Sequence, residues 1–423
     1  MKKEVHRHHI TTDGAWCWFQ DPRAVRYVDE RDRTYVGWIT RMGDIQIQQI
    51  DHETGETARS TLHAEFEADD HNAPSILIDP DGHLLVFYTA HGGPDIRYRR
   101  SVEPESVQRF HPERSVAPST AHTYPNPYQL DGEDGRVYLF YRNARKNLAL
   151  ITSDDNCATW SDEEEIVETE GWNGIADGWV YFKIDSNAQD RIDIATTHYD
   201  YAQVSSPYRD IRHFAIKDGQ FVEASGSPLD KPDGQSLRFT DCPVVYDASE
   251  TAYFSWIWDC ATIDNQPALA YAELRPDDEH RYRYARWTGT EWIDTEVTNG
   301  GHNIRPQRVG AYSGGIYLDR EEPGTCLVSV GDHSSSRIER WYTPDNGLTW
   351  EVTELSDGHA QNIRPIVPRN RHRDLAALWM RGNYEFYARQ EFDTSIVSGG
   401  RPRGDTDKSG EGGNHDEGNA RAR

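Results

Sequence analysis

The pattern of apolar and polar positions is clearest between residues 69 and 91. A polar cluster, Asp69 to Pro74, is followed by two short apolar runs, Ser75 to Ile78 and Leu84 to Tyr88, with an Asp-Pro-Asp-Gly turn between them. Two such runs around this kind of turn predict a β-hairpin. Because a hairpin returns the chain to its start, we expect His71 and His91 to be neighbours.

The same unit recurs along the chain at a spacing of roughly 50 to 60 residues. Seven predicted first strands open near Phe19 to Arg23, His71, Tyr124, Trp179, Asp241, Asn303 and Asn362. A period of this size, with several short strands per repeat, is typical of a β-propeller. The sequence therefore predicts an all-β fold, a seven-bladed β-propeller with four antiparallel strands per blade.

The two ends of the chain have different predicted roles. Residues 4 to 12 alternate weakly, and we expect them to form an outer strand of the last blade, beside Tyr384 to Gln390, because a donated strand closes the ring and removes an open sheet edge. From about Ser395 the apolar pattern stops, and a Gly- and charge-rich composition predicts disorder. We therefore predict one propeller domain over 1–394 and a disordered tail over 395–423.

Two eight-residue stretches, 153–160 (SDDNCATW) and 343–350 (TPDNGLTW), resemble the Asp-box pattern S-x-D-x-G-x-T-W. Cys157 stands at the glycine position of the first, and Thr343 replaces the serine of the second. In this pattern the Asp folds a turn between the third and fourth strands, and the Trp packs between blades. We expect these residues to be structural and not catalytic.

Charge limits the range of partners. The chain carries 71 acidic against 45 basic residues, a formal net charge of −26. A surface of this sign repels nucleic acid and anionic lipid, so we expect neither nucleic acid nor a membrane as a partner. Only seven basic residues are Lys. An acidic, Lys-poor surface is typical of proteins from high-salt cytoplasm, where screening weakens self-repulsion, and predicts a halophilic source.

Cysteine usage and the N-terminus predict a simple soluble protein. The five cysteines form no C-x-x-C pair, so we expect buried thiols and no disulfide framework or standard zinc module. A structural metal ion, for example at Cys242 and Cys260 with nearby histidines, stays open, and its ligands are unknown. No apolar stretch follows the N-terminal lysines. We expect a cytoplasmic monomer, or an extracellular one if the chain is a processed form.

Candidate chemistry collects at one face of the predicted ring. The start of each first strand and the end of each second strand share that face, and the residues there are mainly His, Arg, Tyr and Asn. We predict these site residues: His71, Asn72, His91, Tyr124, Arg142, Tyr181, His198, Arg305 and Arg364. A basic, hydrogen-bonding funnel in an acidic protein predicts an anionic ligand. Structural alternatives stay open, because His91 and His198 also suit buried hydrogen bonds, and Arg305 and Arg364 also suit salt bridges between blades.

The same residues carry a resemblance to a known family. The stretches concerned are Cys17 to Arg23, Asp69 to Pro74, Tyr88 to His91, Tyr124 to Pro127 and Tyr141-Arg142. Together they resemble the BNR-repeat family of seven-bladed propellers that includes ulvan lyases, enzymes that cut polysaccharides beside a uronic acid. The resemblance implies a carbon-oxygen lyase acting on an acidic oligo- or polysaccharide. It further implies that His71 and Tyr124 transfer protons, that Arg142 neutralises the uronate carboxylate, and that His91 and Tyr181 line the site.

The expected chemistry independently requires these residue types. β-Elimination removes the C5 proton of a uronide, so the adjacent carboxylate must be neutralised, and Arg does this with a bidentate fork. A neutral His can accept the proton and a Tyr hydroxyl can protonate the departing O4, without a cofactor. Which of His71 and Tyr124 is the base depends on the C5 epimer. The alternatives are a non-catalytic glycan-binding propeller and a sialidase-like hydrolase using Arg23, Arg142, Arg305 and Arg364.

Overall fold

The structure is a computed structural model, and it describes residues 7–169, 178–200, 210–230, 235–251, 253–275, 279–304 and 312–399. The strands of the first part are β1 (Arg7–Thr11), β2 (Ala24–Val28), β3 (Asp32–Ile39), β4 (Ile45–Asp51), β5 (Thr57–His63), β6 (Ser75–Ile78), β7 (Leu84–Tyr88), β8 (Ile96–Arg100), β9 (Arg114–Val116), β10 (Thr123–Leu130), β11 (Arg136–Arg142), β12 (Leu148–Ser153) and β13 (Glu164–Glu168).

The remaining strands are β14 (Gly178–Ser186), β15 (Arg191–Asp200), β16 (Ile211–Lys217), β17 (Gln220–Val222), β18 (Leu237–Arg238), β19 (Val244–Tyr246), β20 (Phe254–Ile263), β21 (Gln266–Leu274), β22 (Glu279–Trp287), β23 (Trp292–His302), β24 (Ile316–Leu318), β25 (Thr325–Gly331), β26 (Ser336–Tyr342), β27 (Glu351–Glu354), β28 (Gln361–Ile366), β29 (Ala377–Tyr384) and β30 (Phe392–Gly399). The described helical elements are α1 (Ala248–Thr251) and 3₁₀ turns at Asp70–Asn72, Asp131–Glu133, Phe239–Asp241 and Arg373–Leu375. None of them is long and apolar enough to cross a membrane.

Hydrogen bonding groups the described strands into six sheets. Five of them are single blades: β2–β5, β6–β9, β10–β13 with β18, β14–β17 with β19, and β28–β30 with β1. The sixth sheet contains β20 to β27. The first strands of successive blades contact one another, and Val25 in β2 forms a bridge to Arg369, shortly after β28. The blades therefore follow one another around a closed ring, and the predicted all-β propeller is confirmed.

The number of separate sheets differs from the predicted seven. The eight-stranded sheet consists of two antiparallel groups, β20–β23 and β24–β27, joined by one parallel bridge between Gly301 and Gly331. The bridge depends on glycine, because a Cβ atom at Gly301 would lie 1.6 Å from the Gly331 carbonyl oxygen. This close backbone approach joins the two groups into one sheet.

The N-terminal strand closes the ring as predicted, but its partner lies further along the chain. β1 pairs antiparallel with β30, with Thr11 opposite Ile396 and Arg7 opposite Gly399. Ile396 and Val397 are fully buried. The predicted domain boundary after residue 394 is therefore too early by five residues, because Ser395 to Gly399 still belong to the last blade. Residues 400–423 of the predicted tail lie outside the described residues.

This boundary predicts the result of two truncations. A chain ending at Ser395 should melt several degrees below the full chain, because it loses the burial of Ile396 and Val397, each worth about 1.5–3 kcal/mol, together with pairing to β1. A chain ending at Gly399 should melt like the full chain, because the sequence beyond it has almost no apolar residue to bury. Calorimetry on both truncations tests the boundary, and equal melting temperatures for the two would contradict it.

One predicted blade opening is wrong. Asp241 lies in a 3₁₀ turn, and β19, which follows it, pairs with β16 at the outside of the preceding blade. The first strand of the next blade is β20, which contains Trp256 and Trp258 and turns into β21 at Asp264 and Asn265. Both turn residues have positive φ, 52° and 58°, which suits a two-residue hairpin. The apolar run 254–263 is thus an inner strand, and not a second strand.

The two predicted eight-residue turns are tightly hydrogen-bonded. In the first, the Asp155 carboxylate accepts from the backbone N–H and the hydroxyl of Thr159, at 2.8 and 2.6 Å, and equivalent bonds form in the second. Cys157 adopts φ 63°, the left-handed conformation that favours glycine. Trp160 packs edge-on against Tyr98 of the neighbouring blade, with ring centroids 6.0 Å apart. All of these contacts are structural.

Candidate active site

The polar cluster before β6 folds into a single 3₁₀ turn that orients His71. Asp69 caps this turn, since its side chain accepts a hydrogen bond of 2.9 Å from the His71 backbone N–H. The turn ends before Pro74, which cannot donate a backbone hydrogen bond. Asp70 N–H donates to the Tyr387 carbonyl at 2.8 Å, so the loop between β29 and β30 is tied to this turn. His71 is therefore held against the capping carboxylate.

His71 and His91 are neighbours, as the hairpin predicts, and their rings are stacked. Their ring centroids lie 3.9 Å apart with an interplanar angle of 7°. Both Nδ1 atoms face Asp69, at 2.6 Å for His71 and 3.1 Å for His91. Because a carboxylate only accepts, both Nδ1 atoms carry hydrogen. The Nε2 atoms are left for other partners. His71 and His91, which we call the histidine pair, share the Asp69 carboxylate and form one proton-binding unit with it.

The two histidines differ in charge. Burial alone would lower the pKa of His71, but the carboxylate of Asp69 raises it to about 10. Burial and the neighbouring charge of His71 lower the pKa of His91 to about 4. Although burial opposes this, the two histidines hold the pKa of Asp69 below its ordinary value. At neutral pH the pair therefore carries one extra proton, on His71, while Nε2 of His91 is a free acceptor.

This arrangement predicts a pH dependence of stability. The folded pKa of His91, about 4, lies below its ordinary value of 6.5, so the unfolded chain binds this proton first and stability is lost as the pH falls through this interval. His91→Gln should flatten that loss. Melting temperatures measured across the interval test the prediction, with replacement of the exposed His111 by Gln as the control. A variant as pH-sensitive as the wild type would contradict the assignment.

Tyr124 reaches the histidine pair through a strained backbone. It adopts φ 63° at a register shift in β10, between Thr123 and Asn126. A bulge of this kind re-aims a side chain, and strain in a non-glycine residue is often stored at functional sites. The buried Tyr124 ring lies 5.4 Å from the ring of His71. Burial raises the pKa of Tyr124 well above its ordinary value, against the opposing effect of Arg142, so its hydroxyl keeps its proton.

Arg142, at the end of β11, is a buried cation without a described counter-ion. Its Cζ lies 4.7, 5.0 and 5.0 Å from the ring centroids of Tyr124, Trp179 and Tyr181. Its three guanidinium nitrogens are buried and make no hydrogen bond of good geometry to a described residue. Burial would lower the pKa of Arg142, but Tyr124 and Tyr181 hold it above its ordinary value. A charged guanidinium in an aromatic box, beside the Tyr181 hydroxyl, offers hydrogen-bond donors to a ligand.

Three further aromatic residues line the site, and sequence reasoning did not single them out. Phe19 lies 4.9 Å from Tyr181 and 5.1 Å from Tyr124 between ring centroids. Trp256 lies 4.8 Å from Tyr181, and Tyr387 packs edge-on against His71 at 4.6 Å. Phe19 stands inside a motif that the sequence did highlight. Trp256 was hidden by the misplaced blade opening, and Tyr387 lies in a loop without any repeat signal.

Of the other predicted site residues, the three that the structure describes lie in three different places. Asn72 is the last residue of the 3₁₀ turn that contains His71 (the histidine turn), and its buried amide donates to Glu67. Arg364 faces into the protein behind His71, where it forms a buried salt bridge to Asp70. His198 is buried against Phe239, with centroids 5.6 Å apart. Arg305 lies outside the described residues. The contacts of Arg364 are therefore those of a support for the histidine turn, the salt-bridge alternative that the sequence left open.

The predicted arginine cluster of a sialidase-like site is not assembled among the described residues. Arg23 is buried and bound to Asp21. Arg364 is bound to Asp70 and also donates to the Tyr384 hydroxyl at 2.6 Å. Of the described members only Arg142 has its guanidinium unpaired. A single free arginine fits one carboxylate and does not make a multi-arginine pocket.

A separate cavity of about 270 Å³ lies at the opposite end of the inner strands. Its lining includes Tyr128, Asp185, Arg320 and Arg369, and it contains none of the predicted site residues. Both arginines are bound to Asp185. This cavity is therefore separate from the candidate site, and its two arginines are paired with a carboxylate of its own lining.

Among the residues that the structure describes, two groups of side chains have the spacing to hold a metal ion. They are Cys17 with Asp70 and His71, and Asp69 with His71 and His91. Burial raises the pKa of the Cys17 thiol, which disfavours the thiolate that binds metals. In the second group, Nδ1 of both histidines already donates to Asp69. The described hydrogen bonding therefore fits a proton-binding unit.

A comparison with protein-family models assigns the chain to a family of repeat proteins. The model of a BNR repeat-containing family member matches residues 33–300, more than half of the chain. The chain belongs to the BNR repeat-containing family.

Known relatives of this family member include two ulvan lyases. Ulvan Lyase-PL25 from Pseudoalteromonas sp. (strain PLSV) is 21% identical over 371 residues, which is 74% of this chain and 70% of that protein. An ulvan lyase from Nonlabens ulvanivorans is 22% identical over 372 residues, 76% of this chain and 74% of that protein. The solved structure of a PL25 ulvan lyase bound to -[GlcA(1-4)Rha3S]- has a TM-score of 0.70 at 16% identity and covers 93% of this chain and 96% of that one. This likeness shows a shared fold.

Proposed function

We propose that this protein is a polysaccharide lyase that cleaves an ulvan-like, uronic-acid-containing glycan by β-elimination. The observation that carries the proposal is a buried, unpaired Arg142 beside Tyr124 and a histidine pair that shares one carboxylate. The names of the two relatives and the GlcA-containing ligand of the solved PL25 structure support the same substrate class.

Arg142 binds the uronate carboxylate in this proposal. When the C5 proton leaves, negative charge develops on that carboxylate, and a fixed cation stabilises it more in the transition state than in the ground state. The planar guanidinium suits two parallel hydrogen bonds to a carboxylate and stays protonated. Because aromatic rings surround Arg142 where a protein carboxylate could otherwise lie, its charge is reserved for the ligand.

The histidine pair and Tyr124 transfer the protons, with Nε2 of the neutral His91 as the acceptor beside the protonated His71. The histidine pair accepts the C5 proton, the released electrons form the C4–C5 double bond, and the C4–O4 bond breaks as Tyr124 donates its hydroxyl proton to O4. Tyr124 then recovers a proton from the pair, and the enzyme returns to its starting state. Each positioned transfer contributes ~10²–10⁴-fold. Tyr181 and the partly exposed ring of Trp179 hold the sugar beside Arg142.

An absorbance assay tests this reaction. Incubation with ulvan should produce near-ultraviolet absorbance, because the new C4–C5 double bond is conjugated with the carboxylate. A hydrolase would produce new reducing ends without this absorbance, and a glycan-binding propeller would produce neither. Absence of absorbance with ulvan and with a panel of other uronides would overturn the proposal.

Two further points belong to the same proposal. No step needs a cofactor, so dialysis against a chelator should leave turnover unchanged, whereas a loss that one metal restores would contradict this part of the proposal. The architecture is proposed to have seven blades, with the eight-stranded sheet counting as two. An experimental structure that places β24 to β27 as one blade around the same channel would support that count.

A further inference from the structure

A second cation stands beside Arg142, in the turn between β11 and β12. Lys146 is half-buried, and its Nζ lies 5.2 Å from the centroid of the Trp179 ring. The Arg142 Cζ lies 5.0 Å from the same ring. No carboxylate of a described residue forms a salt bridge with Lys146, whereas the neighbouring Arg145 is bound to Glu165 at 2.6 Å. Two unpaired cations therefore share one aromatic ring at the edge of the site.

The backbone holds Lys146 in this position. The residue adopts φ 67°, its N–H donates to the Asn143 carbonyl at 2.9 Å, and its carbonyl accepts from Val180 N–H at 2.9 Å. The Asn143 side chain accepts from the N–H groups of Arg145 and Asn147. The turn is thus fixed both internally and to β14. A non-glycine residue in the left-handed conformation costs folding free energy, and strain of this kind is concentrated at active sites and ligand-binding sites.

The charges themselves point to an anionic ligand. Burial and the nearby Arg142 lower the pKa of Lys146, so the two cations repel each other. In a chain with 71 acidic residues, a carboxylate partner would relieve this repulsion at little cost, yet none of the described carboxylates is placed there. One uronate carboxylate can satisfy the Arg142 fork, and Lys146 is left for a second negative group.

We propose that Lys146 recognises a sulfate ester on a sugar next to the uronate held by Arg142. This inference rests on the proposed function and adds a requirement for a second charge to it. The two residue types suit the two groups, because the arginine fork matches a planar carboxylate, whereas the compact ammonium is a point charge that suits a tetrahedral sulfate in several orientations. Trp179, whose ring contacts both cations and is partly exposed, can pack against the sugar that carries the two charges.

The test compares two substrates and two variants. Lys146→Met keeps most of the apolar stem on Trp179 and removes the charge. On sulfated ulvan oligosaccharides it should raise KM about tenfold or more, the usual value of a hydrogen bond to a charged group, with kcat nearly unchanged. On chemically desulfated oligosaccharides it should behave like the wild type, and Lys146→Arg should retain most of the affinity for the sulfated form. The control is Lys217→Met, at an exposed lysine near Asp190.

Each outcome decides the inference. An equal loss on both substrates would overturn it, because Lys146 would then act on the uronate or on folding, and no loss on either would also overturn it. If the wild type turns over neither substrate, the proposed reaction fails, and calorimetric binding of the same two oligosaccharides to wild type and Lys146→Met still decides. Selective loss of sulfated-ligand binding in the variant supports the inference in that case, and unchanged binding overturns it.

Discussion

Replacing Tyr124 by Phe lowers kcat on ulvan by about 10²–10⁴-fold, the usual contribution of a positioned acid. The change removes one hydroxyl and leaves the ring that packs against Phe19 and Arg142. KM should change little, because the lost interaction acts on the departing O4. Steady-state kinetics by near-ultraviolet absorbance measure the effect. His71→Ala should lose activity by a similar factor.

Tyr128→Phe is the matched control for this result. Tyr128 lies in the same strand, is also buried, and donates its hydroxyl to the Ile184 carbonyl at 2.6 Å. Its replacement should cost about 1 kcal/mol of stability and leave kcat unchanged. Equal kinetic losses in the Tyr124 and Tyr128 variants would mean that the effect is structural, and retained kcat in Tyr124→Phe would remove Tyr124 from the proton transfer.

Replacing Arg142 by Met lowers kcat by about 10²–10³-fold, as expected when a fixed group that stabilises developing charge is lost. KM should rise as well, because the carboxylate also binds to Arg142 in the ground state. The variant should be as stable as the wild type or more stable, because it removes a buried cation that has no described counter-ion. Kinetics and calorimetry on the same preparation measure both effects.

Variants of two other arginines, Arg145 and Arg364, are the controls for this prediction. Arg145→Met removes an exposed charge three residues away that is bound to Glu165, and it should leave kcat nearly unchanged. Arg364→Met breaks the buried bridge to Asp70, and a stability loss of about 3–5 kcal/mol is expected from the uncompensated carboxylate. If Arg142→Met destabilised the protein as Arg364→Met does, Arg142 would be a structural ion-pair partner and not a ligand for the substrate.

Hairpin geometry and repeat spacing predicted which residues come together in the candidate site. The closeness of His71 and His91 follows from the hairpin, because the two ends of adjacent strands must meet. The repeated openings also brought Tyr124, Arg142 and Tyr181 to the same end of the ring. These predictions needed only strand direction and repeat spacing, which apolar patterning records well.

Side-chain direction and long-range partners could not be predicted in the same way. The predicted strand opening near Asn362 placed Arg364 at the correct end of its strand, but only the fold shows that it faces Asp70, which is 294 positions away in the chain. Tyr387 reaches the histidine pair from a loop without periodicity. Trp256 lies in an apolar run that reads equally well as a first or a second strand, since both are buried. Such choices depend on tertiary packing.

The most direct test of the central claim is the mass of the products formed from purified uronide oligosaccharides. β-Elimination breaks the C4–O4 bond without adding water, so the two products should together have the mass of the substrate, and one of them should be unsaturated and lighter by one water than the corresponding hydrolysis product. Two saturated products whose masses sum to that of the substrate plus one water would contradict elimination.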